Sequence, residues 1–208
     1  MRWLLMTVSL ALSAATAPLA ANDPAQAAGE TRPRVIVDNP RARVYRTATD
    51  SRDSIEHGPA VVVSIEQSDL GHAVWVDDAA AAAASDRQPH GATVVVQPRG
   101  RRPPSPPAGS APGAALFTGM SFTPMFDNDR VSVIRARMEV GAREGFHTHG
   151  SDTIVVHLSG GDIEDTADGK TVVNRWQRGD VEFEAAGSSH SARNVGGAVD
   201  VVLVALKP

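Results

Sequence analysis

The 208-residue sequence contains no cysteine and no surplus of positive charge. Without cysteine there is no disulfide and no thiolate site, which leaves histidine and carboxylate side chains as the candidate metal ligands. The 20 Lys and Arg residues against 24 Asp and Glu give a formal net charge of -4, so the charge balance gives no support for a nucleic-acid partner. Hydrophobic residues make up 42% of the chain, which is enough to build a core.

Long apolar runs are also lacking, except at the N-terminus. Residues 1–27 have the pattern of a signal peptide, with a short positive start, an uncharged apolar segment from Trp3 to Leu19 and the cleavage site Ala25-Gln26-Ala27. A cut near Ala20, or an uncleaved membrane anchor, is the alternative. We expect an exported protein, located in the periplasm or outside the cell, whose mature form has no stable membrane span.

A proline-rich, basic segment over residues 97–117 divides the rest of the chain. Such a composition favours extended conformations and forms no core, so we interpret it as a linker. A ligand for a proline-binding partner is the alternative. The linker separates a block over residues 33–96 from a block over residues 118–208.

The two blocks resemble each other, which suggests a duplication. The segment Val37-Asp38-Asn39-Pro40-Arg41 parallels Phe126-Asp127-Asn128-Asp129-Arg130, and the segment from Gly91 to Val96 parallels that from Gly197 to Val202. Chance similarity between two strand-rich segments is the rival explanation. The histidines of the first block are scattered and form no pair.

Three histidines of the second block form the candidate metal site. His147 and His149 are two residues apart, so both rings can point to one face of a strand. His190, from a distant strand, can complete a site of three nitrogens, and neutral imidazole is the commonest protein ligand for transition metals. The alternatives are exposed strand histidines for the pair and a buried, hydrogen-bonded turn residue for His190.

The spacing around these histidines resembles the two signature motifs of the cupin family, over roughly residues 125 to 206. The residues that fit the first motif are Gly141, His147, His149 and Gly160. The residues that fit the second motif are Gly179, Gly187, His190 and Asn194. The resemblance implies an all-β fold: a cupin-type double-stranded β-helix, or jelly-roll barrel, in the C-terminal block, and a degenerate cupin-like half before it.

The main departure from the family pattern is Thr153, which stands where the resemblance leads us to expect a glutamate ligand. One divalent transition metal per chain would then be bound by neutral imidazoles, which favours iron(II) or zinc, allows copper or nickel, and suits manganese least. Asp152 and His157 are candidates for the cavity or for supporting the ligands. Asn194 is interpreted first as a backbone-bonding residue, and Glu144 and the acidic hairpin over residues 162–168 as solvated.

The resemblance implies a metal-binding protein acting on a small molecule. We expect a metal-dependent, dioxygenase-like oxidoreductase, with a non-catalytic ligand-binding or sensory module as the alternative. Association into a homodimer is common in the family and is kept as an option. One fold supports many reactions, so the motifs predict the fold more specifically than the chemistry.

Overall fold

The protein is described by a computed structural model that covers residues 33–47, 55–83, 91–101 and 116–208. The predicted signal peptide and most of the predicted linker lie outside these residues. Thirteen strands, one α-helix (Ala79–Ala83) and a 3-10 turn (Gln67–Asp69) occur within them. No helix in this part of the chain is long and apolar enough to span a bilayer.

The first block forms a five-stranded antiparallel sheet with the order β1-β2-β5-β3-β4. Its strands are rich in valine, whose branched side chain fits a pleated, packed surface. They are β1 (Arg34–Asp38), β2 (Ala42–Thr47), β3 (Ala60–Ser64), β4 (Ala73–Val76) and β5 (Thr93–Pro98). The last strand therefore includes Gln97 and Pro98, the first two residues of the predicted linker.

The second block forms an eight-stranded antiparallel sheet with the order β10-β9-β12-β7-β13-β8-β11, and β6 pairs with β7. The strands are β6 (Phe117–Asp127), β7 (Val131–Thr148), β8 (Asp152–His157), β9 (Gly161–Ala167), β10 (Lys170–Trp176), β11 (Val181–Glu184), β12 (Ser189–Asn194) and β13 (Val199–Leu206). The sheet curls around a cavity, which confirms the predicted all-β jelly-roll fold.

One long strand, β7, connects the two walls of this barrel. Its first half, Val131 to Met138, pairs with β13, and its second half, Arg143 to Thr148, pairs with β12. Gly141 lies between these halves with a φ of 76°, a conformation that glycine adopts without steric cost. The bend carries the end of β7 across to the opposite wall, with His147 in the strand and His149 directly after it.

The five-stranded sheet has the same strand order as the path β6-β7-β13-β8-β11 of the larger sheet. Both paths begin with the same turn. The Oδ1 atom of Asn39 accepts the backbone N–H groups of Arg41 and Ala42, and that of Asn128 accepts those of Arg130 and Val131. In the described residues the first sheet has no counterpart of β9, β10 and β12.

The two sheets pack face to face through a shared core of buried side chains. The strands that contribute to this core do so with alternate residues, as the alternation of a strand requires. The fully buried members include Val44, Val61, Val63, Val94, Val96, Val131, Val133, Ile154, Val156, Val202 and Val204. Since Ile154 and Val156 of β8 face the first sheet, the alternate residues Thr153, Val155 and His157 face the cavity.

Two arginines at equivalent positions tie the halves together reciprocally. Arg41 Nη2 donates to the carbonyl of Lys207, the residue that follows β13, at 3.1 Å. Arg130 Nη2 donates to the carbonyls of Pro98 and Arg99, at 3.2 and 3.1 Å, at the end of β5. The same contact is thus made in both directions, which is the pattern of a two-fold interface.

Candidate metal centre

The three predicted histidines meet at one end of the cavity. His147 and His190 are direct partners in the pairing of β7 with β12. His149 lies two residues after His147, directly beyond the end of β7, and also faces the cavity. One nitrogen from each ring can be chosen so that all lie within 4.8 Å of one another. The Nε2 atoms of His149 and His190 are 3.1 Å apart.

A bulge in the β7–β12 pairing helps to orient the first histidine. The register shifts between His190 and Ala192, opposite the segment from Glu144 to His147. A bulge bends a strand and redirects its side chains. Here the carbonyl of Gly145 lies 3.0 Å from Nδ1 of His147 and can accept its hydrogen, which leaves Nε2 without a proton and available as a ligand.

Each histidine also has a carboxylate beside it. Asp165 Oδ1 lies 2.9 Å from Nδ1 of His190, Glu184 Oε2 lies 3.5 Å from Nδ1 of His149, and Glu144 Oε1 lies 3.5 Å from Nε2 of His147. At His149 and His190 the carboxylate faces Nδ1, and a carboxylate that accepts this second ring N–H fixes the tautomer and orientation of a metal-ligating histidine. At His147 the Gly145 carbonyl has that role, and Glu144 lies on the side of the ligand nitrogen. The sequence interpretation of Asp165 and Glu144 as solvated charges is therefore wrong.

The acidic residues of β11 were not anticipated either. Glu182 and Glu184 share one face and line the cavity, while Val181 and Phe183 pack against the core on the other face. Burial, together with repulsion from neighbouring carboxylates, raises the pKa of Glu182 to about 7 and that of Glu184 to about 8. The alternation of two glutamates with two apolar residues was the sequence signal for an inward-facing pair.

The pKa values of His149 and His190 are shifted in opposite directions. Burial and the nearness of His190 and His147 lower the pKa of His149 to about 4. Burial also disfavours the charged form of His190, but the hydrogen bond to Asp165 and the charges of Glu144 and Glu184 outweigh it and raise its pKa to about 9. Metal binding would have to release the His190 proton, since imidazole ligates in its neutral form.

The donor set fits a divalent transition metal. Two imidazole nitrogens bound to one zinc ion at 2.0–2.1 Å lie roughly 2.9–3.4 Å apart for angles of about 90° to 110°, which includes the His149–His190 separation of 3.1 Å. The three imidazoles would supply the ligands, and the neighbouring carboxylates would balance the charge. The three histidines are the one group of three or more histidine or acidic residues across the described segments that is close enough to hold a metal ion.

The other sequence candidates divide between the cavity and the opposite face. Thr153 and His157 line the cavity. Asp152 does not, because strand alternation turns it toward the first sheet, where its Oδ2 lies 2.7 Å from Nε of Arg41 and its Oδ1 accepts the N–H of Ala186. Asn194 is buried outside the cavity and bonds to backbone groups, including the carbonyls of Met138 and Glu139.

The cavity has a volume of about 450 Å³. The histidine cluster and its carboxylates lie beside Thr153, which pairs with Glu184. His157, four residues further along β8 and stacked on Trp176, lies toward the other end, and Arg137 and Asn174 also contribute polar groups to the lining. The walls between the ends are mostly aliphatic, and they include Ile134, Val155, Ile163, Val199, Val201 and Leu203. Such a cavity suits a small molecule with an apolar body.

Fold and site together define a jelly-roll protein with a three-histidine centre that can hold a metal. Solved structures similar to the chain include a cupin domain of Bordetella pertussis Tohama I, with 26% identity over 43% of this chain and 95% of that domain at a TM-score of 0.41. A predicted oxalate decarboxylase of Thermotoga maritima has 25% identity over 43% and 81% of the two chains at a TM-score of 0.37.

An RmlC-like cupin of Shewanella frigidimarina has 17% identity over 43% of this chain and 78% of its own at a TM-score of 0.37. No protein-family model matches the chain, and a search of curated proteins found no match. Two of these three similar structures bear the name of the family that the sequence motifs resemble.

Proposed function

We propose that the C-terminal barrel is a metal-dependent, dioxygenase-like oxidoreductase that acts on a small molecule. It would bind one divalent transition metal per chain, iron(II) for oxidation or zinc as the redox-inert alternative. The observation that carries the proposal is the convergence of His147, His149 and His190, each beside a carboxylate, at one end of a largely apolar cavity.

The donor set supports a reactive rather than a purely structural site. Three protein ligands leave coordination positions open, whereas structural zinc sites are closed by four. Thr153, which lines the cavity, adds a hydroxyl that donates to the Ser151 carbonyl at 3.4 Å. When bound, iron(II) would supply one-electron chemistry and sites for dioxygen and a chelating substrate.

The chain itself supplies a group for moving protons. The Glu182 carboxyl faces the cavity, and its pKa of about 7 lies near neutral pH, where a general acid or base is most effective. The aliphatic walls exclude water from the substrate and strengthen the interactions of the charged groups. In the proposed reaction Glu182 would take a proton from a bound hydroxyl or acid and return it to the product.

The direct test is elemental analysis of the mature protein purified without a histidine tag, combined with oxygen-uptake assays on phenols, diketones and organic acids. We expect about one metal equivalent per chain and oxygen uptake in the iron(II) form. The His147→Ala, His190→Ala double variant should lose the metal, while His72→Ala, an exposed histidine of the first block, should retain it.

Two outcomes separate the alternatives. Full metal retention by the double variant would overturn the metal centre. Metal binding without oxygen uptake on any of these compounds would favour the non-catalytic ligand-binding module.

We also propose that residues 1–27 direct export to the periplasm or the outside of the cell. The support is the sequence pattern alone. N-terminal sequencing of the protein recovered from a secreting host tests it, with a mature start at Ala28 expected and an intact Met1 as the contradicting result.

A further inference from the structure

His157 is a buried histidine whose ring nitrogens take part in neither the hydrogen bonds of the fold nor the metal centre. Its side chain is in β8, faces the cavity and is only 3% exposed. Neither Nδ1 nor Nε2 has a hydrogen-bond partner. A buried polar group without a partner costs free energy, so native structures rarely keep one without a reason.

The position of His157 excludes a role as a metal ligand. Thr153 pairs with Glu184, which lies beside His149. His157 lies four residues beyond Thr153 in the same strand, a separation of about 13 Å along the strand axis. Its backbone is held in place, since its N–H donates to the Asp180 carbonyl at 3.0 Å and its own carbonyl accepts the N–H of Gly179 at 2.8 Å. The ring stacks on Trp176, with centroids 4.5 Å apart and planes at 17°.

The ring is electrically neutral in this position. Burial lowers the pKa of His157 to about 4, and no carboxylate in the described residues is hydrogen-bonded to it. A neutral imidazole has one N–H donor and one bare nitrogen that accepts. An uncharged group that both donates and accepts, such as a hydroxyl, therefore matches it, whereas a carboxylate or an ammonium would enter without a compensating charge.

We propose that the end of the cavity formed by His157 and Trp176 is a second ligand subsite, which binds the hydroxyl end of an elongated small molecule whose other end lies at the three histidines. This inference rests on the proposed metal centre for the anchoring of the ligand head. The aliphatic walls between the two ends contact the body of the ligand. A half-turn of the imidazole about χ2, a torsion with roughly two-fold minima in histidine, keeps the ring stacked on Trp176 and exchanges its nitrogen and carbon edges, which brings a nitrogen toward the ligand.

The test uses the full mature chain loaded with zinc and two matched series of hydroxamic acids. Hydroxamates chelate zinc, so hexano-, octano- and decanohydroxamic acids serve as the plain series, and the same acids with a terminal hydroxyl as the second. Binding is measured by calorimetry, with zinc content determined before and after. At the length that spans the cavity we expect the hydroxyl to tighten binding by roughly 3- to 10-fold, the effect of one hydrogen bond.

The His157→Phe variant keeps an aromatic ring for stacking on Trp176 and removes both nitrogens. It should bind zinc and the plain series normally and lose the gain from the hydroxyl. His72→Phe, at an exposed position of the first block, should keep the gain. A gain that persists in His157→Phe, or no gain at any length in the zinc-loaded protein, overturns the subsite and leaves the metal centre standing.

A second measurement does not depend on zinc. Nitrogen NMR of the imidazole should show the His157 ring resonances shifting when n-hexanol, which has no metal-binding group, is added. Failure to bind zinc would overturn the proposed function, whereas His157 resonances unmoved by n-hexanol would overturn the subsite.

Discussion

At the scale of single residues, Asp165 decides how His190 presents its ligand nitrogen. Its Oδ1 lies 2.9 Å from Nδ1 of the ring. We expect Asp165→Asn to weaken metal binding by roughly 10- to 100-fold, because the imidazole loses the carboxylate that fixes its tautomer. Competition with a chelator measures the change.

Glu164 offers a control on the same strand. Its carboxylate bonds to Arg193 at 3.1 Å, outside the cavity. The substitution Glu164→Gln should leave metal affinity within about twofold of wild type, since the site does not contact this carboxylate. Equal losses in Asp165→Asn and Glu164→Gln would mean that the acidic hairpin acts only through the fold.

Glu182 makes the stability of the metal-free protein depend on pH. Its pKa rises from 4.5 to about 7 in the folded state, so the folded protein retains this proton to higher pH than the unfolded chain. The free energy of unfolding should therefore fall as the pH rises from about 4.5 to about 7. The contribution of this group is on the order of 2 kcal/mol.

The substitution Glu182→Gln removes the titration and keeps the shape of the side chain. Denaturant unfolding in the presence of EDTA should give a flatter profile for the variant than for wild type between pH 5 and 7. Superimposable slopes would show that the carboxyl is solvated and titrates normally.

At the scale of secondary structure elements, the turn between β8 and β9 sets the end of the cavity at Trp176. A side chain on Gly160 would place its Cβ 2.5 Å from the Trp176 carbonyl, and φ there is 76°. Gly169 in the β9–β10 hairpin has a similar φ of 73° but no atom within 4 Å of a built Cβ. The two glycines therefore separate backbone strain from steric conflict.

We expect Gly160→Ala to cost clearly more stability than Gly169→Ala. The hairpin variant should lose roughly 1 kcal/mol, the cost of a left-handed alanine. The Gly160 variant must in addition move the backbone around Trp176 and should lose roughly 3 kcal/mol or more. Thermal unfolding of both variants measures the difference, and equal losses would contradict the close approach.

What the sequence predicts well at this scale is what depends on local spacing. The two-residue interval of His147 and His149 fixes their common face, and the Asp-Gly pair at residues 168 and 169 predicts the hairpin found there. The role of Asp165 was not predictable, because it depends on the pairing of β9 with β12, which places Asp165 opposite Ala192. That register is set by tertiary packing.

The similar segments of the two blocks illustrate the same limit. The sequence aligns Val96 with Val202. In the structure Val96 pairs with Val44, which lies five residues after Asn39. Val204 pairs with Val133, which lies five residues after Asn128. The correct equivalent is thus Val204, two residues further on. A shift of two residues leaves every side chain on the same face, so the hydrophobic pattern cannot reveal it.

At the scale of the whole molecule, Arg41 connects the first sheet to the metal centre. Its Nε donates to the buried Asp152 carboxylate, whose other oxygen accepts the N–H of Ala186. The adjacent loop pairs with His149 through the Gly187 N–H and the Ser188 carbonyl and leads into His190. The first half thereby supports the loop that brings two ligands together.

Substitution of Arg41 tests this connection. Arg41→Met should destabilise the protein by roughly 3 kcal/mol, because a buried carboxylate loses its arginine, and should also weaken metal binding. Arg130→Met removes the equivalent bonds to backbone carbonyls, and within the described segments it removes no carboxylate contact. We therefore expect a loss of roughly 1 kcal/mol with metal affinity unchanged. Denaturant unfolding and chelator competition on both variants give the comparison.

The reciprocal contacts of Arg41 and Arg130 lie across an interface whose two faces are held on one polypeptide. Partners joined covalently meet at an effective concentration set by the tether. Dilution, which separates two independent subunits, therefore leaves this pairing intact, and the support of the Asp152 carboxylate beneath the loop before His190 persists however scarce the protein is.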